Sequence, residues 1–512
     1  MLKFLLEFDN SRAPFLKAGA IFFFFTAVVA LLLQVIVLPY LLPAMHAGNG
    51  LLLGTDAVGF HKIAVELAEQ IRISGWSAWE LRPEGQAPAG IAAVLYVIFS
   101  PSPLVMIPVN AALRAIAGLV LMRIALYLTG NLRMAFLSAL LFVVFPSAMM
   151  WYGQIHKDGF YLAGLYLCLF GWVLLARLET WDKKLPYLAA VLLCWIAGAI
   201  LAGSVRLYAF QQLQGIGYIF ALLLGVLFII RGIKKRLPWK QCLIAVSLLC
   251  LMPYVLRFAP VEVRISASTL GRDAGKVSAH DTDRDSAQGG GAQDITQSRA
   301  QASRTGGHNK IVRDSAEKEK PGTVDPEASW LAKVVARENW KKTSWLPGFI
   351  ENNFFRIGVL REGYLTTPDY KTAGSMIDTQ VHLYGFNDFL DYLPRAMQIG
   401  FAAPFPVHWL DRGASPGGTV MRRIAGVEML LAYLTLVFIP FAVWRWKNRV
   451  EMWIPLVFGM VFVLIYAYAT PNLGSLYRLR YGFLMLLVSL GAAGGLSAWH
   501  LVRQRYFEKE LK

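Results

Sequence analysis

Four stretches of the chain set ionisable residues against long apolar runs, where a charge is costly and marks a candidate site. They are LLLGTDAVGFHK (Asp56, His61), FPSAMMWYGQIHKDGFYLAG (Gln154, Lys157, Asp158), AGSVRLYAF (Arg206) and TPNLGSLYRLRYGF (Tyr477, Arg478, Arg480). Asp56 can serve as a general base, or as a carboxylate that orients an acceptor hydroxyl. It can equally cap a helix over 57–71. Asp158 could share a divalent cation, Mg or Mn, with Asp56. Lys157, Arg206, Arg478 and Arg480 suit phosphate, which a guanidinium binds through two parallel donors. Trp151, Tyr152, Gln154 and His156 make an amphipathic surface that fits a sugar, and Tyr477 and Tyr481 flank the arginines. Asp56 and Asp158 are therefore the catalytic candidates, with Lys157, Arg206, Arg478, Arg480, Tyr477, His61 and Gln154 as substrate contacts.

The elements that must position them are membrane spans. Of 512 residues, 56% are hydrophobic and 16% are charged, and the mean hydropathy is +0.47. Soluble domains hold about 25% charged residues, so the composition excludes a soluble enzyme and a disordered chain. Apolar runs near 17–43, 103–128, 133–150, 157–177, 186–202, 207–231, 241–258, 425–446, 451–469 and 479–502 each approach the about 20 residues a crossing needs. The first run lacks a cleavage signal and is read as a retained anchor. Run 88–101 is short and is followed by Pro101 and Pro103; it is read as interfacial. Ten spans then put the basic loop RGIKKRLPWK (231–240) and both termini in the cytoplasm, as the positive-inside rule asks. Much of the net charge of +17 is orientation charge, and no nucleic-acid partner is expected. Cys168, Cys194, Cys242 and Cys250 lie in apolar runs and suggest neither disulfides nor zinc.

The expected organisation is a transmembrane module over 1–258 with a first outer loop at 44–102, an insertion at 259–329, an outer subdomain at 330–424 and a second transmembrane module over 425–512. In the first loop, Val58, Ile63, Val65, Leu67, Ala68 and Ile71 predict an amphipathic helix. The insertion has no aromatic residue between Phe258 and Trp330 and reads as disordered. Within 330–424, Asp378 and Asp388 are weaker acceptor candidates, and His382 and His408 lack metal-ligand spacing.

This arrangement resembles the GT-C superfamily of membrane glycosyltransferases. The matching features are Asp56 in a long first outer loop, FPSAMMWYGQIHKD leading to Asp158, and YRLRYGF in a late span. The resemblance covers roughly 15–260 and 425–500. Asp56 stands alone between Thr55 and Ala57, where that family often has two adjacent acids. The resemblance implies an all-α polytopic fold of about ten helices in a bacterial-type inner membrane. It also implies transfer of a sugar from a polyprenyl-phosphate donor to a saccharide, lipid or protein acceptor on the outer face. Two other readings stand beside it. An O-antigen-type polymerase or ligase would rely on Arg356, Arg361 and Arg395. A lipid-linked saccharide transporter would need midplane charge, and the spans hold little beyond Arg114 and Glu428.

Overall fold

The computed structural model describes residues 14–177, 184–234, 236–259, 326–367, 375–413 and 416–510. The described residues form helices and turns, with only isolated bridges and no strand. In chain order the helices are α1 (Pro14–Leu32), α2 (Asp56–Ser74), α3 (Ala87–Ile98), α4 (Ile107–Thr129), α5 (Leu132–Val144), α6 (Met149–Tyr152), α7 (Asp158–Ala176), α8 (Lys184–Val205), α9 (Tyr208–Ile233) and α10 (Trp239–Leu256). After the gap come α11 (Pro326–Asn339), α12 (Gly348–Thr366), α13 (Phe386–Ala402), α14 (Pro416–Leu436), α15 (Ile439–Trp446), α16 (Val450–Ala469) and α17 (Leu473–Glu510). Nine helical stretches among the described residues are long and apolar enough to cross a membrane. The chain is a multi-pass membrane protein.

A tenth crossing is broken. Helices α5 and α6 meet at a 62° bend, at Pro146, which cannot continue the hydrogen-bond ladder of a helix. Contacts decide how to count this pair. Asp56 and Asp158 both reach Arg478, so residues 56, 158 and 478 lie at one end of the bundle. Between 56 and 158 the chain crosses once over Pro103–Thr129. The 12-residue α3 rises about 18 Å, against a hydrocarbon core of about 30 Å. The return then falls to α5 with α6, the bent pair that brings the candidate spans among the described residues to ten. At the opposite end Arg449 donates to the Tyr127 carbonyl, Arg231 to the Ala176 carbonyl, and Arg177 pairs with Glu451.

The core follows from which faces are covered. Helix α7 is buried along almost its whole length. Trp172 sits fully buried against Trp195, Phe220 and Phe458. Where α7 meets α8 the backbones touch: a side chain on Gly164 would lie 2.5 Å from the Gly198 carbonyl, and one on Gly198 would lie 2.5 Å from the Gly164 carbonyl. Small residues permit this approach and recover dispersion contacts that lipid cannot replace. Leu193, Ile196, Ile200, Leu222 and Leu243 are exposed, as expected of faces solvated by lipid.

Two expectations change, and a third falls outside the described residues. The buried stripe of α2 is Ala57, Phe60, Ala64, Leu67, Ala68 and Ile71; Val58, Ile63 and Val65 are only partly covered, because α3 packs on the stripe built around Phe60 and Ala64. Residues 330–424 are not a separate subdomain: α12 and α13 pack on α16, in the same compact unit as the spans, and the following span begins at 417. The insertion expected over 259–329 lies outside the described residues up to 325, and α11 begins at Pro326.

The count has a direct check. Ser77→Cys and Arg236→Cys, in a background without the four native cysteines, should react with a membrane-impermeant thiol reagent from opposite sides. Labelling of both from one side would mean that α5–α6 does not cross.

Candidate active site

The site assembles where four helix ends meet. Helix α2 opens with Thr55 at its N-cap, whose hydroxyl donates to the Leu52 carbonyl. Thr55, not Asp56, is the N-cap, and the Asp56 carboxylate is paired with Arg478. Asp158 opens α7, where the helix dipole favours a negative charge. Arg206 occupies the turn between α8 and α9, and Arg478 lies in the second turn of α17.

Gln154 sets the spacing between these elements. Its side chain accepts from Leu52 N–H and donates to the Gly50 carbonyl, both at 3.1 Å, while its own carbonyl accepts from Asn110 at 2.6 Å. Gln34, near the end of the first span, donates to the Gly153 carbonyl. Residues 50–52 and Gln34 are thus tied to Gly153 and Gln154 by buried amide bonds. Such bonds are worth most where no water competes.

Arg478 binds two carboxylates. Its Nε donates to Asp158 Oδ2 at 2.8 Å and its Nη2 to Asp56 Oδ2 at 3.3 Å. Arg206 takes the other oxygen of Asp158 at 2.6 Å and lies over the Tyr161 ring, 4.7 Å from its centroid. His156 completes the group, with Nδ1 3.0 Å from Asp158 Oδ2 and Nε2 4.0 Å from Asp56 Oδ2. The side chains of Asp56 and Arg478 are 35% and 28% exposed, against 12% for Asp158 and 7% for Arg206. The first pair therefore faces the opening, and the second backs it. Lys157 lies beside them with Nζ 5.3 Å from the Phe60 ring centroid.

Burial works to raise the Asp56 carboxyl, but Arg478 and His156 outweigh it and hold the group below the usual carboxylate range. Burial, then Arg478, lowers His156, against the opposing pull of Asp158, so the imidazole is neutral at pH 7. Two carboxylates, two guanidiniums and Lys157 leave the site one positive charge in excess, which suits an anionic ligand.

The remaining sequence candidates stand apart. Arg480, 1% exposed, donates to the carbonyls of Ile399, Gly400 and Ala403. It caps the end of α13, a role that basic side chains fill at helix C-termini. Tyr477 donates to Glu428, and that carboxylate also accepts from Ser147 N–H at the α5–α6 break. His61 contacts the Tyr96 hydroxyl at 2.7 Å and Asn49 at 3.2 Å, joining α2 to α3. Asp378 accepts from Arg395 and Tyr392, and Asp388 accepts from Tyr384 N–H at the start of α13. His156, read from sequence only as part of a sugar-facing surface, joins the ionic group; its spacing two residues before Asp158 was the available signal.

The cation expected between Asp56 and Asp158 does not fit this arrangement. The Arg478 guanidinium bridges the two carboxylates, and among the described residues no three His, Cys, Asp or Glu side chains are placed to hold a metal ion. Compared with known proteins, the chain matches no family model, no curated protein and no solved structure.

The two neighbouring arginines should behave oppositely on substitution. Arg480→Ala leaves buried carbonyls unpaired and should cost on the order of 2–4 kcal/mol, read as a lower melting temperature in detergent. Arg478→Ala removes a partly exposed group, leaves Asp158 paired with Arg206 and leaves Asp56 open to water, so its melting temperature should move much less. Equal losses would place both arginines in the same structural role.

Proposed function

We propose that the protein is a membrane glycosyltransferase that moves a sugar from a polyprenyl-phosphate donor to an acceptor hydroxyl. The observation that carries this reading is Arg478, a partly exposed guanidinium held between Asp56 and Asp158 where the ends of α2, α7 and α17 meet. A lipid-phosphate sugar needs three things at one depth: a cation for the phosphate, a carboxylate for the acceptor hydroxyl, and an adjoining lipid phase for the tail. Arg478 with Lys157, Asp56, and the helix ends provide them.

In the reaction the acceptor oxygen attacks C1 of the sugar, and the bond from C1 to the phosphate oxygen breaks. The polyprenyl phosphate leaves with one more negative charge. Cations preorganised where that charge develops lower the barrier. Arg206, locked to Asp158 and stacked on Tyr161, keeps Arg478 aimed rather than binding the donor itself. Asp56 meets the acceptor hydroxyl at the open edge. With the guanidinium in the place of a divalent cation, the reaction runs without added metal.

Orientation follows from charge. The end opposite the site holds Arg123, Arg177, Arg231, Arg236 and Arg449, and basic loops stay in the cytoplasm. The site then faces the outer side, and Pro14 and Glu510 lie on the inner side. The polymerase reading draws less support, because Arg361 spends its donors on the carbonyls of Val381, Tyr468 and Asp378 and Arg395 is paired with Asp378.

Purified protein in liposomes, given a polyprenyl-phosphate sugar, should transfer the sugar, and Arg478→Ala should lower kcat/KM by about 10²–10³-fold. EDTA should leave the rate unchanged. Activity lost on chelation and restored by Mg²⁺ would return the two aspartates to a metal site, and full activity in Arg478→Ala would overturn the assignment of the phosphate.

A further inference from the structure

The carboxylate at the open edge is poorly suited to finish the proton transfer. Asp56 is ion-paired with Arg478, and that pairing weakens it as a base. The group behind it has the opposite character. His156 is 3% exposed, sits edge-on to Phe60 of α2 and is neutral at pH 7.

Its two nitrogens have different surroundings. Nδ1 lies 3.0 Å from Asp158 Oδ2 and 3.2 Å from Arg478 Nη2. A carboxylate only accepts and a guanidinium only donates, so one of these contacts sets the tautomer. The shorter contact, to a carboxylate already fixed by Arg206, puts the proton on Nδ1. The lone pair of Nε2 then points toward Asp56 Oδ2 across 4.0 Å. Two acceptors at that separation do not bond to each other. An acceptor oxygen set to one side of the line joining them can lie about 2.8 Å from each, its single hydrogen turning from Oδ2 to Nε2 as it attacks.

We propose that His156 is the catalytic base: the acceptor hydroxyl lies between Asp56 Oδ2 and His156 Nε2, and Nε2 takes its proton as the oxygen attacks the sugar. The inference rests on the glycosyl-transfer reading above. The balance is closed within the site. The O–H bond breaks and N–H forms on Nε2, the acceptor oxygen bonds C1, and the electron pair of the C1–O bond leaves with the polyprenyl phosphate beside Arg478. The imidazolium is stabilised by Asp158 at Nδ1, the same division of labour as in a carboxylate–histidine pair that activates a hydroxyl. Asp56 orients the hydroxyl and does not keep its proton. The released phosphate, or water at the opening, takes the proton from His156 before the next cycle.

The test compares two substitutions in sugar transfer from a polyprenyl-phosphate donor. His156→Asn keeps an N–H for Asp158 and lacks Nε2, so kcat should fall about 10²–10⁴-fold with the donor KM nearly unchanged. Asp56→Asn keeps an oxygen that accepts from the hydroxyl, so kcat should fall by no more than about tenfold. Free imidazole should restore part of the activity of His156→Ala. The reverse order, with Asp56→Asn crippled and His156→Asn near normal, makes Asp56 the base and overturns the proposal while leaving the glycosyl-transfer reading intact. Should His156→Asn fail to fold, a crippled Asp56→Asn still overturns the proposal by itself. Absence of transfer by the unaltered chain would instead overturn the reading on which the proposal rests.

Discussion

Everything near the candidate site depends on one guanidinium lying between two carboxylates. Arg478 arrives from the last helix, Asp56 from the start of α2 and Asp158 from the start of α7. A charge left unpaired at the end of a membrane helix is costly, and Asp158 is held by Arg206 as well as by Arg478. The group therefore acts as a register mark. It holds three distant parts of the chain at one depth, and the helices between them have to cross in even numbers to bring them there. A crossing by α5–α6 meets that constraint, and its bend is set by Pro146.

The same interaction is graded from inside to outside. Asp158 has both oxygens engaged, by Arg206 on one and by Arg478 and His156 on the other. Asp56 has the longer contact to Arg478 and more than a third of its side chain exposed. The inner half is built to stay; the outer half can exchange partners with a ligand. Electrostatic preorganisation needs both, since a cation helps a leaving group only if it does not have to be moved into place. The amide clamp of Gln154 and Gln34 gives the outer half its rigidity without adding charge.

The arginines separate by the same reasoning. Arg478 and Arg480 are two residues apart on one helix, so they point to different sides of α17. One side meets the ionic group, the other meets the end of α13, where backbone carbonyls have no helical partners. An identical side chain becomes a candidate ligand in one direction and a helix cap in the other. Arg361 makes the same point: it ties α12 to the segment before α13 and to the end of α16, and at 1% exposure it is out of reach of a saccharide.

The sequence by itself determined the spans, because length and apolarity are local properties that the bilayer reads directly. It marked Asp56, Asp158, Arg206 and Arg478 for the same reason: each is a charge where local composition makes charge expensive. The pairing of Lys and Arg with one set of loops was legible too. Tertiary structure decided what no local rule contains. It turned Arg480, Tyr477, His61 and Gln154 toward structural partners, because a side chain's direction depends on which helix packs beside it. It joined 330–424 to the bundle, because the faces of α12 and α13 are only half apolar and their match to α16 is a property of shape. It also placed His156 between two aspartates 102 positions apart, since distance along the chain carries no information about distance across a site.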